Sequence, residues 1–220
     1  MIKLAVFDLD GTLLDTVPDL TAAMNFAMRQ MNKPEITTEQ ARAYIGNGIK
    51  MFAKRAISSS YDTDTSDGEA DEAVGYFKSY YAKHLTDHTA PYAGVAELVK
   101  KLKQNGIKTA VFSNKYDAAT KHIIEYFFKG LFDVVHGESE TSPRKPDPAG
   151  FFEICKETGC EPGDAVMIGD SPADLNAARN AKTRCICVLW GYRSKEKLLE
   201  AGADVLAKNS DELYGLIMKL

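Results

Sequence analysis

The chain has 220 residues, of which 45% are hydrophobic and 26% are charged, so it can bury one large core or a core with a smaller attached domain. Its formal net charge of −4 argues against nucleic-acid and membrane partners and favours a small molecule. The first apolar run spans only about five residues, so we expect no signal peptide, no membrane span and a cytoplasmic location. Four cysteines without a CxxC pair indicate free thiols.

Short apolar runs recur along the chain, and each ends in a polar or glycine-containing turn. In chain order they are IKLAVF before Asp8, IKTAVF before Ser113, FDVV before HGESE, DAVMI before GDS and RCICVL before WGY. Apolar runs without alternation are typical of strands buried on both faces of a parallel sheet. Helical patterns such as VAELVKKLKQNG lie between them and end at a glycine. The sequence therefore predicts an α/β fold with a doubly wound parallel sheet.

One interval is too long for a single crossover, because roughly 90 residues separate the first two predicted strands where a βα unit needs a few tens. Its content is helical: DLTAAMNFAMRQMN has an apolar face, TTEQ at residues 37–40 is typical of a capping box, and two more helical patterns follow. We predict a core domain of residues 1–14 and 92–220 and an inserted helical cap of residues 15–91. Two chain crossings of this kind permit hinge closure.

The stretch DLDGT follows the first predicted strand and places Asp8 and Asp10 two positions apart, on one side of an extended segment. Two close carboxylates repel each other unless a cation neutralises them, and Mg²⁺ is a hard divalent ion that suits them. Gly11 permits a turn, and Thr12 can donate a hydrogen bond to an anion. The alternative interpretation is that the two aspartates only cap the end of a strand and have no catalytic role.

The stretch VMIGDSPAD supplies two further carboxylates at another predicted strand end. Asp170 follows a glycine, and Asp174 lies one helical turn later on the same face. We expect Asp170 to complete the inner shell of the ion, whereas Asp174 either ligates it or orients its neighbours. The same residues also describe an ordinary helix start, with Ser171 as N-cap and Pro172 at the first helical position.

Two more strand ends carry groups that suit a phosphate. FSNK contributes the Ser113 hydroxyl and the Asn114 amide, and SPRKPDP contributes Lys145 between two prolines that restrict its loop. The carboxyl ends of parallel strands meet at one edge of a sheet, so we expect these groups beside the aspartates. A solvated loop residue is the alternative for Lys145.

These four elements, in this order, resemble the motifs of the haloacid dehalogenase superfamily of phosphohydrolases. DLDGT is similar to its first motif, Ser113 to its second, Lys145 to its third and GDSPAD to its fourth. The resemblance extends over essentially the whole chain, including a helical cap. The stretches DLDGTLLDTVPDL, YIGNGIKMFAKRA and IGDSPADLNAARNA are most similar to its phosphoglycolate phosphatase branch.

The resemblance implies a Mg²⁺-dependent phosphatase. Asp8 would attack phosphorus to form an aspartyl phosphate, and Asp10 would act first as an acid and then as a base. Asp8, the Asp10 main-chain carbonyl and Asp170 would hold the ion, with Asp174 as a further candidate ligand. The transferring group would be stabilised or bound by Lys145, Ser113, Gly11, Thr12 and Asn114.

Substrate choice is predicted to lie in the cap segment IGNGIKMFAKRA. Gly46, Asn47 and Gly48 would expose backbone N–H groups at a helix N-terminus, which suits a substrate carboxylate. A plain interhelical turn is the alternative. Arg55, about two helical turns past Gly48, could offer a substrate anion a bidentate contact. The best single substrate is 2-phosphoglycolate, the expected partner is a small phosphorylated metabolite, and the protein is expected to be a monomer or homodimer.

Other functions share parts of this pattern. A phosphosugar mutase of the β-phosphoglucomutase kind and a pyrophosphatase have the same core and cap. A phosphonatase would need Lys50 as a desolvated Schiff-base lysine. A receiver-type signalling domain also presents acidic residues, a hydroxyl and a lysine at a sheet edge, but it needs neither Asp10 nor a cap. After the last strand, Trp190 is interpreted as a packing residue and Arg193 as a solvated one.

Overall fold

The computed structural model describes residues 1–140 and 142–220. The chain divides into two compact units, one formed by Met1–Asp15 with Pro91–Leu220 and the other by Thr16–Ala90. The first unit is an α/β unit and the second is helical. None of the helices in these described residues is long and apolar enough to cross a bilayer.

The described residues form eight strands. They are β1 (Leu4–Phe7), β2 (Leu14–Asp15), β3 (Ala90–Pro91), β4 (Lys108–Tyr116), β5 (Val134–Glu138), β6 (Ala165–Gly169), β7 (Arg184–Val188) and β8 (Leu206–Ala207). Six of them form one parallel sheet in the order β5-β4-β1-β6-β7-β8, while β2 and β3 form a separate two-stranded sheet. This topology confirms the predicted α/β parallel sheet and places β1 between β4 and β6.

The central strands are buried along their whole length. LAVF of β1 and AVMIG of β6 have no exposed residue, as apolar runs without alternation predict. β4 and β5 both extend beyond the ends predicted from the sequence, and those predicted ends are wrong. β4 continues through Ser113 to Tyr116, and β5 includes His136 to Glu138. The polar ends of these strands stay extended because Tyr116 still pairs with Glu138, after an irregular register that begins at Phe112.

Within residues 1–140 and 142–220, ten α-helices connect these strands. They are α1 (Val17–Gln30), α2 (Thr38–Tyr44), α3 (Ile49–Ser58), α4 (Asp67–Tyr81), α5 (Val95–Gln104), α6 (Asp117–Phe128), α7 (Ala149–Thr158), α8 (Pro172–Asn180), α9 (Lys195–Glu200) and α10 (Ser210–Ile217). The apolar stripe predicted for α5 is buried, and α7 ends at Gly159 in the left-handed conformation. Packing of helices against the sheet builds the core of the α/β unit.

The helical unit consists of α1 to α4. Thr37 and Gln40 form the predicted capping box at the start of α2, where each side chain bonds the other residue's backbone N–H. Asp19 in the first turn of α1 is buried, and its carboxylate accepts hydrogen bonds from the N–H groups of His88 and Thr89 and from the Thr89 hydroxyl. This contact joins the first and last segments of the helical unit.

Candidate active site

Asp8 lies directly after β1, at the carboxyl edge of the sheet, and its side chain is held on two sides. Its Oδ1 accepts a hydrogen bond of 2.7 Å from the N–H of Leu9 and lies 2.8 Å from Lys145 Nζ. The neighbouring strand β6 ends beside it, since the Asp8 N–H donates to the Ile168 carbonyl. Parallel pairing of β1 with β6 therefore brings the first and fourth predicted motifs together.

Lys145 is a buried lysine with only 1% of its side chain exposed. Its Nζ donates to Asp8, to Asp174 Oδ1 at 2.6 Å and to the Phe112 carbonyl at 2.8 Å. Three acceptors thus match its three N–H groups. The solvated interpretation of Lys145 is wrong, because the ammonium group lies between two carboxylates in the interior.

Asp174 is a fully buried residue in the first turn of α8. Its Oδ2 accepts hydrogen bonds from the N–H and the hydroxyl of Ser171, at 3.0 and 2.6 Å, while its Oδ1 accepts from Lys145. Ser171 precedes the helix and Pro172 begins it, as predicted. Both carboxylate oxygens of Asp174 are therefore engaged by protein donors, which favours an orienting role.

Asp170 follows β6 and is enclosed by glycines. Its Oδ2 accepts a 2.6 Å hydrogen bond from the Tyr192 N–H. A Cβ atom at either Gly11 or Gly191 would overlap the Asp170 side chain. Gly11 also has a φ of +85°, so this turn requires glycine for two reasons. Asp170 thus has little freedom to move.

The electrostatics of this cluster are dominated by burial. Burial, followed by repulsion from Asp174, raises the pKa of the Asp8 carboxyl well above its ordinary value, although Lys145 opposes the shift. The same two causes raise the pKa of Asp170 to about 7. Burial alone would lower the pKa of Lys145, but Asp174 and Asp8 more than offset this and raise it. Negative charge is therefore in excess around Asp8 and Asp170.

This excess charge fits a divalent cation. Asp8, Asp170 and Asp174 each offer a carboxylate oxygen, and these atoms lie within 4.8 Å of one another. One lysine cannot neutralise three buried carboxylates, and oxygen ligands are those that Mg²⁺ prefers. The donor set therefore suits the magnesium ion that the sequence predicts, with Asp8 and Asp170 as the carboxylates best placed to ligate it.

Asp10 has a lysine partner of its own, which the sequence analysis did not identify. Lys115 Nζ lies 3.0 Å from Asp10 Oδ1, and the two side chains are 5% and 20% exposed. Lys115 is the last residue of the stretch FSNK, and its burial depends on β4 continuing past Phe112. The polar residues that follow Phe112 give no sequence signal that the strand continues.

The other side chains predicted to contact the phosphoryl group lie in the same region of the α/β unit. Ser113 is buried, and its Oγ accepts from the Lys115 N–H at 3.2 Å. Asn114 donates to the Lys145 carbonyl and accepts from the Lys145 N–H at 2.7 Å, so it fixes the loop that carries that lysine. Thr12 is buried, and its Oγ1 has no hydrogen-bond partner within residues 1–140 and 142–220.

The loop after β7 also supports the site. Trp190 donates from Nε1 to the Thr12 carbonyl at 3.0 Å, and Tyr192 binds Asp170 through its backbone. The interpretation of Trp190 as packing alone is incomplete, because it also anchors the turn that follows Asp10. Gly191 and Tyr192 were missed because a backbone contact leaves no signal in residue type.

The predicted cap residues all lie in the helical unit. Gly46, Asn47 and Gly48 all have positive φ, and α3 begins at Ile49, so these residues form a tight turn before a helix. Arg55 is buried, donates to the Tyr44 and Tyr61 carbonyls and lies 3.9 Å over the Tyr61 ring. These contacts give Arg55 a packing role in this unit.

Lys50 does not meet the requirement for a phosphonatase lysine. Its side chain is 41% exposed and its Nζ pairs with Asp67 and Asp71. The Asp71 and Asp67 partners raise its pKa, whereas a Schiff-base lysine needs a lowered one. The structure therefore disfavours the phosphonatase alternative.

The fold and the four converging motifs define a hydrolase. A match to the haloacid dehalogenase-like hydrolases covers residues 5–188, and the chain belongs to this family. It is 34% identical over 214 residues to phosphoglycolate phosphatase 1 of Pseudomonas aeruginosa, an alignment that spans 96% of this chain and 78% of that protein.

Two further comparisons extend over almost the whole chain. Phosphoglycolate phosphatase of Nitrosospira multiformis is 32% identical, with 99% of this chain and 96% of that protein aligned. A solved structure from Lactobacillus delbrueckii subsp. bulgaricus, provisionally assigned as a phosphoglycolate phosphatase, has a TM-score of 0.92 at 35% identity and 98% coverage of both chains. The predicted superfamily and the prediction of an enzyme are confirmed.

Proposed function

We propose that this protein is a Mg²⁺-dependent phosphatase that hydrolyses a small phosphomonoester through an aspartyl phosphate on Asp8. The observation that carries the proposal is the position of Asp8, which lies at the edge of the sheet with Lys145 on one carboxylate oxygen and two further buried aspartates within 4.8 Å. A carboxylate held in this way can serve as a covalent nucleophile.

Asp8 and Asp10 divide the chemistry between them. The Asp8 carboxylate attacks phosphorus, the bond from phosphorus to the leaving oxygen breaks, and Asp10 gives that oxygen a proton. Asp10 then takes a proton from the water that attacks the aspartyl phosphate, which releases phosphate and restores Asp8. Asp10 is 20% exposed and is thus open to both the leaving group and water.

Asp8, Asp170 and the Asp10 main-chain carbonyl would hold Mg²⁺, and the bound ion would supply positive charge against the phosphoryl oxygens. Asp174 orients this set, because its oxygens are taken by Lys145 and Ser171. The Tyr192 N–H fixes one oxygen of Asp170 for the same purpose. Outer contacts of this kind set the orientation of the ligands.

Contacts to the phosphoryl group come from the turn after Asp8 and from β4. The Thr12 hydroxyl is a buried polar group without a protein partner in the described ranges, and a phosphoryl oxygen would supply one. The Ser113 hydroxyl and the backbone of Gly11 complete the proposed set. Lys145 contributes its charge at the Asp8 carboxylate, where positioning and electrostatics supply most of the acceleration.

The proposed substrate is 2-phosphoglycolate. Relatives named phosphoglycolate phosphatase that align over nearly the whole chain support it. The turn at Gly46 to Gly48, with its backbone N–H groups before α3, is the proposed contact for the substrate carboxylate. Arg55 is not part of this proposed contact, because its guanidinium donates hydrogen bonds to the Tyr44 and Tyr61 carbonyls.

The test is phosphate release from a panel of phosphoglycolate, hexose and pentose phosphates, pyrophosphate and nucleotides, with Mg²⁺ and with chelator. We expect kcat/KM for phosphoglycolate to exceed the others by a hundredfold or more, about 2.7 kcal/mol of transition-state binding. Chelator should abolish turnover. Isomerisation of a sugar phosphate without phosphate release would instead identify a mutase, and full activity in chelator would contradict the magnesium assignment.

A further inference from the structure

Lys115 is a buried lysine that the proposed mechanism does not use. Its Nζ lies 3.0 Å from Asp10 Oδ1, and its side chain is 5% exposed. Burying an ammonium group costs free energy unless a partner compensates, so the nearly buried Lys115 side chain needs the Asp10 carboxylate beside it. Exposed ion pairs elsewhere, such as Lys129 with Glu125, have no such constraint.

The backbone at Lys115 is shaped to aim this side chain. The register between β4 and β5 is irregular from Phe112 to Tyr116, and such irregularities redirect side chains near active sites. The Lys115 N–H donates to Ser113 Oγ, and its carbonyl accepts from the Thr120 hydroxyl, both at 3.2 Å. Lys115 is therefore held by hydrogen bonds on both sides of its Cα.

A glycine on the neighbouring strand makes this backbone path possible. A Cβ at Gly137 would lie 2.6 Å from the Lys115 carbonyl and 2.5 Å from Asp117 Cα. The Gly137 N–H also donates to Asp117 Oδ1 at 3.0 Å. Residues of β4, β5 and α6 thus fix the segment from which Lys115 extends.

We propose that Lys115 is a positioning residue that holds the Asp10 carboxyl group in the orientation from which it exchanges protons with the leaving oxygen and with water. The inference rests on the role of Asp10 in the proposed function. The two aspartates of DLDGT then have one buried lysine each, Lys145 for Asp8 and Lys115 for Asp10. Replacing Lys115 removes the 3.0 Å contact to Asp10 Oδ1, and we expect proton transfer to lose the geometry that this contact provides.

The test compares two leaving groups that differ in their need for a proton. The alkoxide of 2-phosphoglycolate needs the Asp10 proton, whereas p-nitrophenolate leaves without one. We expect Lys115→Met to lower kcat/KM for phosphoglycolate by about thirtyfold or more and to change that for p-nitrophenyl phosphate by less than about threefold. The parameter kcat/KM is used because it reports the steps up to leaving-group release.

A double-mutant cycle shows whether Lys115 acts through Asp10. Adding Lys115→Met to Asp10→Asn should cause no further loss with phosphoglycolate. Lys115→Arg, which keeps the charge, should recover part of the activity and serves as the second variant if Lys115→Met fails to fold. Lys129→Met is the matched control, and its activity should equal that of the wild type.

Equal losses on the two substrates, or a full additional loss in the Asp10→Asn background, would overturn the role of Lys115. Those results leave the proposed function intact. A wild-type protein that releases phosphate from neither substrate would instead overturn the proposed function and, with it, the inference on Lys115.

Discussion

Asp170 is a buried carboxylate whose ionisation opposes folding. Burial, and then repulsion from Asp174, raises its pKa to about 7, so the folded chain without metal binds a proton there that the unfolded chain has released. The folded state therefore loses stability as pH rises from about 4 to about 7. Ionisation of Asp170 lowers the free energy of unfolding, and two other carboxylates lie beside it. Such a residue favours a role in ligand binding over a role in stability.

The first prediction concerns Asp170→Asn in metal-free buffer. The variant should become more stable than the wild type as pH rises through about 4 to 7, with a gap of up to about 4 kcal/mol above that range. Denaturant unfolding in chelator at several pH values measures the gap. Asp204→Asn, at an exposed position of the same unit, is the control. Parallel stability curves for wild type and Asp170→Asn would refute the assignment.

The second prediction concerns Gly191, which packs against the Asp170 side chain. An added Cβ would overlap the Asp170 side chain, so Gly191→Ala should displace the carboxylate that we propose as a Mg²⁺ ligand. We expect the Mg²⁺ concentration for half-maximal thermal stabilisation to rise by about tenfold or more. Gly163→Ala is the matched control, because a Cβ there meets nothing within 4 Å. An unchanged Mg²⁺ requirement for Gly191→Ala would show that Asp170 does not bind the ion.

Residue types and their order were sufficient to predict the aspartates, which follow recognisable apolar runs, and Lys145, which lies between two prolines and third in the order of the motifs. They were not sufficient for Tyr192, which acts through a backbone N–H, or for Lys115, whose burial depends on pairing with a strand some twenty residues later in the chain. For Arg55 they indicated a ligand contact, whereas local packing uses its guanidinium on two carbonyls.

At the scale of elements, α1 is tied to the last segment of the helical unit by one side chain. Asp19 is buried and accepts from two backbone N–H groups and the Thr89 hydroxyl. Periodicity predicted the apolar face of α1, but the partner of Asp19 lies 70 residues away and is set by tertiary structure. Helix α1 was therefore predictable from the sequence, but the contact between Asp19 and Thr89 was not.

The corresponding prediction is that Asp19→Ala lowers the stability of the chain by about 2 to 4 kcal/mol, because it leaves buried donors unpaired. Thr89→Val, which removes a single donor, should cost about 1 kcal/mol. Thermal unfolding measures the loss. If Asp19→Ala unfolds at the wild-type temperature, the buried contact does not contribute to the stability of the helical unit.

At the scale of the whole molecule, the parallel sheet explains why distant motifs act together. Pairing of β1 with β4 and β6, and of β4 with β5, brings residues from four parts of the chain to one edge. This convergence was predictable, since apolar runs, strand ends and motif order all pointed to the same sheet. That the helical unit closes over this edge as a cap stays a prediction.

The role of Asp8 is tested most directly by phosphate release from 2-phosphoglycolate by the wild type and by Asp8→Asn in Mg²⁺, with circular dichroism to show that both are folded. We expect turnover by the wild type and a loss of at least about a thousandfold in the variant, because an amide is a poor nucleophile. A folded Asp8→Asn protein that keeps the wild-type rate would contradict the central role of Asp8.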